Sequence, residues 1–279
     1  MPKTQTPETL TALAKLLARH RQRAVLVPDS GGSERPRAKQ VLIDIGGIPG
    51  LSGITRGARV RRIGTGTTLG EVLRTVDGEN GLLMQAVSMM ANPLVRNRVT
   101  VLSALDPESH YFDLATALVL LGARIRVQST TASRVLNIGD FLLATAEGLK
   151  PGEYPSSVEF AVLDASLHAG FFRVNPGRGK PTVSAALLTG LRRNVALGPE
   201  IAVSSSTLIP VLAPRASKSL ARQALTDANI KRTAETAAAE MLELAGMEDE
   251  DDPYERSLIE VAVARAVRRV LDTPAPPAI

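Results

Sequence analysis

The 279-residue chain has no cysteine and no tryptophan, and only three tyrosines, five phenylalanines and three histidines. Without cysteine it cannot form a disulfide, build a thiolate zinc site or hold an iron–sulfur cluster through its own side chains. So few aromatics leave little on which single-stranded nucleic acid could stack. Lys and Arg number 33 against 28 Asp and Glu, a net charge of +5. The basic residues are scattered rather than gathered on one stretch, so nucleic-acid binding is not expected. A mildly basic surface suits an anionic cofactor or an acidic partner. His20, His110 and His168 stand apart, and although Asp106 and Glu108 flank His110, no second histidine is near in sequence, so no metal site is expected. There is no Gly-x-Ser-x-Gly elbow, which argues against a Ser–His–Asp hydrolase, and Ser204-Ser205-Ser206 reads as a loop or strand edge. No apolar run approaches the roughly 20 residues of a membrane helix. The opening MPKTQTPETL lacks the apolar core of a signal peptide, so a cytoplasmic protein is expected. No catalytic residue can be named.

What is present is an ordinary globular composition, 44% hydrophobic and 22% charged. Thr6-Pro7-Glu8 reads as a helix start, with Leu10, Leu13, Leu16 and Leu17 as its apolar stripe and Arg19 to Arg23 near its end. Short strands are expected at 24–27, 41–45 and 58–63. Between the first two lies the polar loop Pro28-Asp29-Ser30-Gly31-Gly32-Ser33-Glu34. Gly64 and Gly66 superficially resemble a dinucleotide fingerprint, but the preceding strand is charged, the third glycine falls one place late and no acid sits at the right distance. Thr67 or Thr68 is expected to cap a helix over 69–76. The Met- and Leu-rich run 81–91 has helical spacing and reads as core packing.

The chain is organised around Val95 to Ala123. Arg96-Asn97-Arg98 and Thr100 open it, an irregular run through Asp106 and Pro107 follows, and Asp113 starts an apolar helix that stops at Gly122. The next residues, Arg124 to Gln128, alternate as a strand. Strands are also expected at 171–174, 183–188 and 201–203. Helices are expected at 219–228, 231–245 and 254–271, with an acidic run, 248–252, before the last.

This pattern resembles the FAD-binding subunit of the molybdenum hydroxylases, the xanthine and carbon monoxide dehydrogenase type. Val95, Arg96, Asn97 and Thr100 match an I-R-N-x-x-T segment, and Asp113, Gly122 and Ala123 match the helix after it. Leu42-Ile43-Asp44-Ile45, the Gly64-Thr68 turn, Arg134, Ile138, Asp140, Phe141, Pro151, Gly152 and Glu153 match further on, and Asp252, Tyr254, Arg256, Arg265 and Ala266 echo the family's last helix. The resemblance implies an α+β fold: a two-part FAD-binding domain of the molybdopterin-dehydrogenase type over 1–165, a smaller α+β domain over 166–272, and a Pro-rich tail, 273–279. It implies FAD as cofactor, held at Ser30, Gly31, Gly32 and Ser33, at Thr100 and Ser103, and near Asp113. It implies partner subunits carrying iron–sulfur clusters and molybdenum, from which electrons reach the flavin and then an acceptor; a homo-oligomer is compatible with it.

Two departures stand out. Leu102, Ser103 and Ala104 occupy the places of the family's Gly-Gly-Asn, and without a three-residue slip the first Gly-Gly falls on Pro28 and Asp29. A proline lacks the N–H a phosphate needs, and a carboxylate repels it. Ser30 to Ser33 also suits an ordinary surface turn. The expectation is therefore a flavin subunit with a degraded site that binds FAD weakly or not at all. The alternative is a flavin-free relative that reuses the fold as a cofactor-independent enzyme, for example a cyclase on an apolar substrate, or as a structural partner.

Overall fold

A computed structural model describes residues 4–20, 23–27, 41–76, 81–90, 92–107, 109, 111–147, 149–175, 183–205, 207–247 and 252–272. In chain order the elements are α1 (Leu10–His20), β1 (Ala24–Val27), β2 (Val41–Asp44), β3 (Ile54–Arg56), β4 (Val60–Gly64), α2 (Leu69–Thr75), α3 (Gly81–Met90), α4 (Pro93–Arg96), α5 (Val101–Ala104), α6 (Asp113–Leu120), β5 (Arg124–Gln128), β6 (Ser133–Asn137) and α7 (Ile138–Glu147). After these come β7 (Tyr154–Ala161), β8 (Leu167–Val174), β9 (Val183–Arg192), β10 (Val195–Ser204), β11 (Val211–Leu212), α8 (Pro214–Leu220), α9 (Asp227–Leu244) and α10 (Pro253–Asp272). The expected α+β architecture is the one found, and among the described residues no helix is long and apolar enough to cross a membrane.

The chain forms two compact units, and neither is one continuous stretch. The first takes 1–75, 92–106 and 122–161. In it β1 and β2 pair in parallel, and a five-stranded antiparallel sheet runs in the order β3-β4-β7-β5-β6. Leu13, Ala14 and Leu17 of α1 pack with Ile43, Ile45, Ile48, Leu51 and Tyr154 in its core. The helix starts later than expected: Thr9, not Thr6, caps it by accepting the Ala12 N–H, and its carbonyl takes the Leu13 N–H. Arg134 and Glu153 form a two-pronged ion pair at 3.0 and 2.8 Å. That gives these two family-matching residues a structural task, holding the turn before β7 against β6.

The second unit takes 76–91, 107–121 and 162–279. Its sheet is antiparallel in the order β11-β10-β9-β8 and is covered on both faces. Val183, Ala185 and Leu187 of β9 point into a core with α8, α9 and α10. Ser184, one residue out of step, turns to α6 and bonds Thr116. Burial on both faces explains why Ala185 to Leu188 reads as a continuous apolar run instead of an alternating one. Gly170 of β8 lies so close to α10 that a Cβ there would strike the Ala266 carbonyl.

Three local expectations change. The run expected to be irregular after Thr100 opens with a one-turn helix, α5, and a second one-turn helix, α4, comes before it. The helix expected over 219–228 lies instead at 214–220, and the chain then turns through Arg222, at φ 60°, so that Ala224 can bridge to Val195. The strands expected at 183–188 and 201–203 extend into one hairpin, closed by Arg193 and Asn194 with φ of 50° and 63°. Two positive φ values in succession are the geometry of a type I′ turn, which suits Asn but was hidden in sequence by the arginine.

Candidate functional site

The residues singled out in the sequence divide between the two units. Ser30, Gly31, Gly32 and Ser33, together with Pro28 and Asp29, lie outside the described residues, as do Glu108 and His110. Thr100 and Ser103 belong to the first unit and Asp113 to the second.

In the first unit two turns lie against each other. Residues 64–68 lead from β4 into α2, and residues 99–104 lead into α5. Gly64 and Gly66 are required by close approach to the Leu51 carbonyl and not by a nucleotide: a Cβ on Gly64 would collide with that carbonyl, and one on Gly66 would sit 3.1 Å from it. Thr67 Oγ1 accepts the Gly53 N–H at 2.9 Å, and Thr68 shares a reciprocal cap with Glu71. Thr68, not Thr67, is thus the cap of α2.

Thr100 caps α5. Its Oγ1 accepts the Ser103 N–H at 3.3 Å, while Ser103 Oγ accepts the Thr100 N–H at 3.0 Å, a closed capping box. The other donors of the turn are taken as well. Val101 N–H goes to the Thr67 carbonyl at 2.9 Å, Leu102 N–H to the Thr65 carbonyl at 2.8 Å, Ala104 N–H to the Thr100 carbonyl at 3.0 Å, and Leu105 N–H to the Leu102 carbonyl at 3.1 Å. Across the interface, Leu69 N–H goes to the Val99 carbonyl at 2.8 Å. The residues that depart from the family pattern each have a place in this packing. Leu102 packs on the core of the unit, Ser103 completes the capping box, and Ala104 is fully buried.

In the second unit Asp113 begins α6, as expected, with Leu118 and Leu121 buried. Its own side chain is only 2% exposed, and Oδ2 lies 3.3 Å from Nε of Arg173 on β8, itself 8% exposed. No hydrogen bond joins those two atoms, so they pair by charge. Arg173 also donates to the Met90 carbonyl at 2.9 Å and the Met89 carbonyl at 3.3 Å, at the C-terminal end of α3, where a cation is favoured. Beside the pair is a ring of buried hydroxyls. Thr116 Oγ1 lies 2.8 Å from Ser184 Oγ and 3.0 Å from Ser204 Oγ, and those two lie 2.9 Å apart. Burial pushes the Asp113 carboxyl up to about 6, and the charge of Arg173 and the hydrogen bond to Ser184 offset this only in part. Sequence reading found Asp113 but missed Arg173, Thr116, Ser184 and Ser204. A lone arginine in the apolar strand Phe171-Phe172-Arg173-Val174 was the one available signal of a buried charge pair.

The family model of the FAD binding domain in molybdopterin dehydrogenase matches residues 3–160. A curated relative, 6-hydroxypseudooxynicotine dehydrogenase complex subunit alpha of Paenarthrobacter nicotinovorans, is 25% identical over 149 residues, 52% of this chain and 50% of that protein. The match therefore spans about half the length of that relative. Among solved structures, a chain of reconstituted CO dehydrogenase from Oligotropha carboxidovorans gives a TM-score of 0.82 at 18% identity, over 98% of this chain and 100% of the other. A chain of carbon monoxide dehydrogenase from Hydrogenophaga pseudoflava, lacking the Mo-pyranopterin moiety of its cofactor, gives 0.79 at 20% identity over 97% of each. Quinoline 2-oxidoreductase from Pseudomonas putida 86 gives 0.79 at 19% identity, over 98% and 97%. At these identities the likeness is one of fold.

Proposed function

Because the chain belongs to the family of the FAD binding domain in molybdopterin dehydrogenase, we propose that it takes the flavin-subunit position in a cytoplasmic molybdenum-hydroxylase assembly, with its flavin site degraded. The observation that carries this reading is the family match over 3–160 combined with the fold match along nearly the whole chain, through both units. A subunit role also suits the chemistry the chain lacks. With no cysteine it has no thiolate for an iron–sulfur cluster, so any one-electron relay has to come from a partner.

FAD is the cofactor the family implies. A pyrophosphate needs several convergent, unengaged N–H donors. The backbone N–H groups of Thr100 to Leu105 are already bonded within the chain, and Asp113 is committed to Arg173 and Ser184. The described residues therefore do not fit the group, and no electron-transfer step is assigned to them. What the chain supplies in this reading is the fold and its surface for the metal-bearing subunits.

The test is purification of the tagged full-length chain from its native host. Co-purification of iron, acid-labile sulfide and molybdenum in fixed ratio is the expected outcome. A chain that emerges alone and metal-free, or that by itself turns over a purine, an aldehyde or carbon monoxide, would refute the reading.

A further inference from the structure

We infer that residues 64–69 and 100–105 form a closed structural clasp in place of a pyrophosphate cradle, so that this chain has lost tight FAD binding. The family reading enters only in naming the ligand; the rest is an account of donors. In the first turn Gly64 N–H goes to the Gly53 carbonyl, Thr65 N–H to the Ser156 carbonyl, Gly66 N–H to the Leu51 carbonyl and Thr67 N–H to the Gly64 carbonyl, at 2.7–3.0 Å. Thr68 N–H goes to Glu71 Oε2 at 2.9 Å, and Leu69 N–H crosses to the Val99 carbonyl. In the second turn the N–H groups from Thr100 to Leu105 are satisfied in the same way, two of them by carbonyls of the first turn.

A phosphate-binding helix start presents its first N–H groups to the anion because nothing else reaches them. Here the first three of α5, at Val101, Leu102 and Ser103, all have acceptors inside the chain. Pyrophosphate could bind only after at least two of these bonds were broken, with the Thr65 and Thr67 carbonyls left unpaired in a buried turn; both threonines are fully buried. Glu71, held over the Thr68 N–H, adds a carboxylate where the ligand would bring negative charge. The three substitutions relative to Gly-Gly-Asn act together. Leu102 anchors the turn to the core, Ser103 closes the cap and Ala104 fills the interior, so each stabilises the clasp that excludes the ligand.

The test uses the full-length wild-type protein with FAD itself as the probe. The purified protein should be colourless. Titration followed by flavin fluorescence and by calorimetry should give a dissociation constant weaker than roughly 100 μM, against the sub-micromolar binding of a working site, a loss of at least a hundredfold or about 2.7 kcal/mol. Amide hydrogen exchange at 64–69 and 100–105 should be slow without FAD and unchanged when millimolar FAD is added. Sub-micromolar binding would overturn the inference whatever the exchange pattern, as would fast exchange of the 100–105 amides in the free protein. The outcome is separable from the subunit reading: tight FAD binding would leave the partners standing, and failure to recover partners would leave the clasp standing.

Discussion

Asp113 carries a buried charge pair at the start of α6. The family resemblance placed it beside the flavin; the structure buries it against Arg173 and the Ser184 hydroxyl. Its carboxyl is raised to about 6 from 3.8, and burial is the largest cause. A group whose folded value lies above its unfolded value favours the folded state fully below the unfolded value, and that contribution is lost as pH rises through the folded one. Stability should therefore fall between about pH 4 and pH 7, by on the order of 2–3 kcal/mol from this group. Urea unfolding of wild type and Asp113→Asn across that range measures it. The wild type should lose ground to the variant as pH rises, because the Asn amide does not ionise, whereas at low pH the protonated Asp113 is as neutral as the Asn. A stability difference independent of pH would show that Asp113 titrates normally.

At the scale of elements, α8 shows a helix whose start is completed from elsewhere. Its N-cap is Ala213, which has no side-chain acceptor, and Pro214 at the first position has no N–H to satisfy. The N–H groups of Arg215 and Ala216 both go to the carboxylate of Glu240 on α9, at 3.0 Å each. Glu240 is 4% exposed, so its removal strands two donors of the first turn, one of them on the fully buried Ala216, and a favourable helix-dipole contact. Glu240→Ala should cost about 2–4 kcal/mol in chemical denaturation, and Glu240→Gln, which keeps one acceptor, about half as much; equal effects would deny the capping role. This also explains a sequence error. With no Ser, Thr, Asp or Asn before Pro214 the start of α8 carried no local signal, and the expected helix was displaced to 219–228. In contrast, Asp252 accepts the Glu255 N–H at the start of α10, which was legible, whereas α9, expected from Lys231, begins at Asp227 behind a Thr226 cap that the expected helix over 219–228 had absorbed.

At the scale of the molecule, the two units do not follow the division at 165/166. Helices α3 and α6, from the first half of the chain, pack on β8, β9 and β10 in the second unit. Gln85 of α3 accepts the Phe171 N–H at 2.9 Å and donates to the Ala169 carbonyl at 2.8 Å, locking that helix to β8. A fragment starting at 166 would leave Ala169, Phe171, Ala186 and Leu188 without cover from those helices. It should be aggregated or lack a cooperative unfolding transition, whereas the full chain should show one. A well-dispersed amide NMR spectrum from the 166–279 fragment would show that the C-terminal sheet needs neither helix.

The sequence by itself determined the α+β class, the helix beginning at Asp113, the capped start of α2 and the family, because these rest on local periodicity, capping residues and motif spacing. It also revealed that the second flavin loop departs from its pattern at 102–104. Only the tertiary structure decided what holds residues 100–105 and Asp113. The carbonyls of Thr65 and Thr67, about 35 residues upstream, reach Val101 and Leu102, and Arg173, 60 residues downstream, reaches Asp113. Hydrogen bonds and charge pairs depend on distances in space, and no spacing along the chain announces which distant carbonyl or guanidinium will be close enough to occupy a donor or a carboxylate.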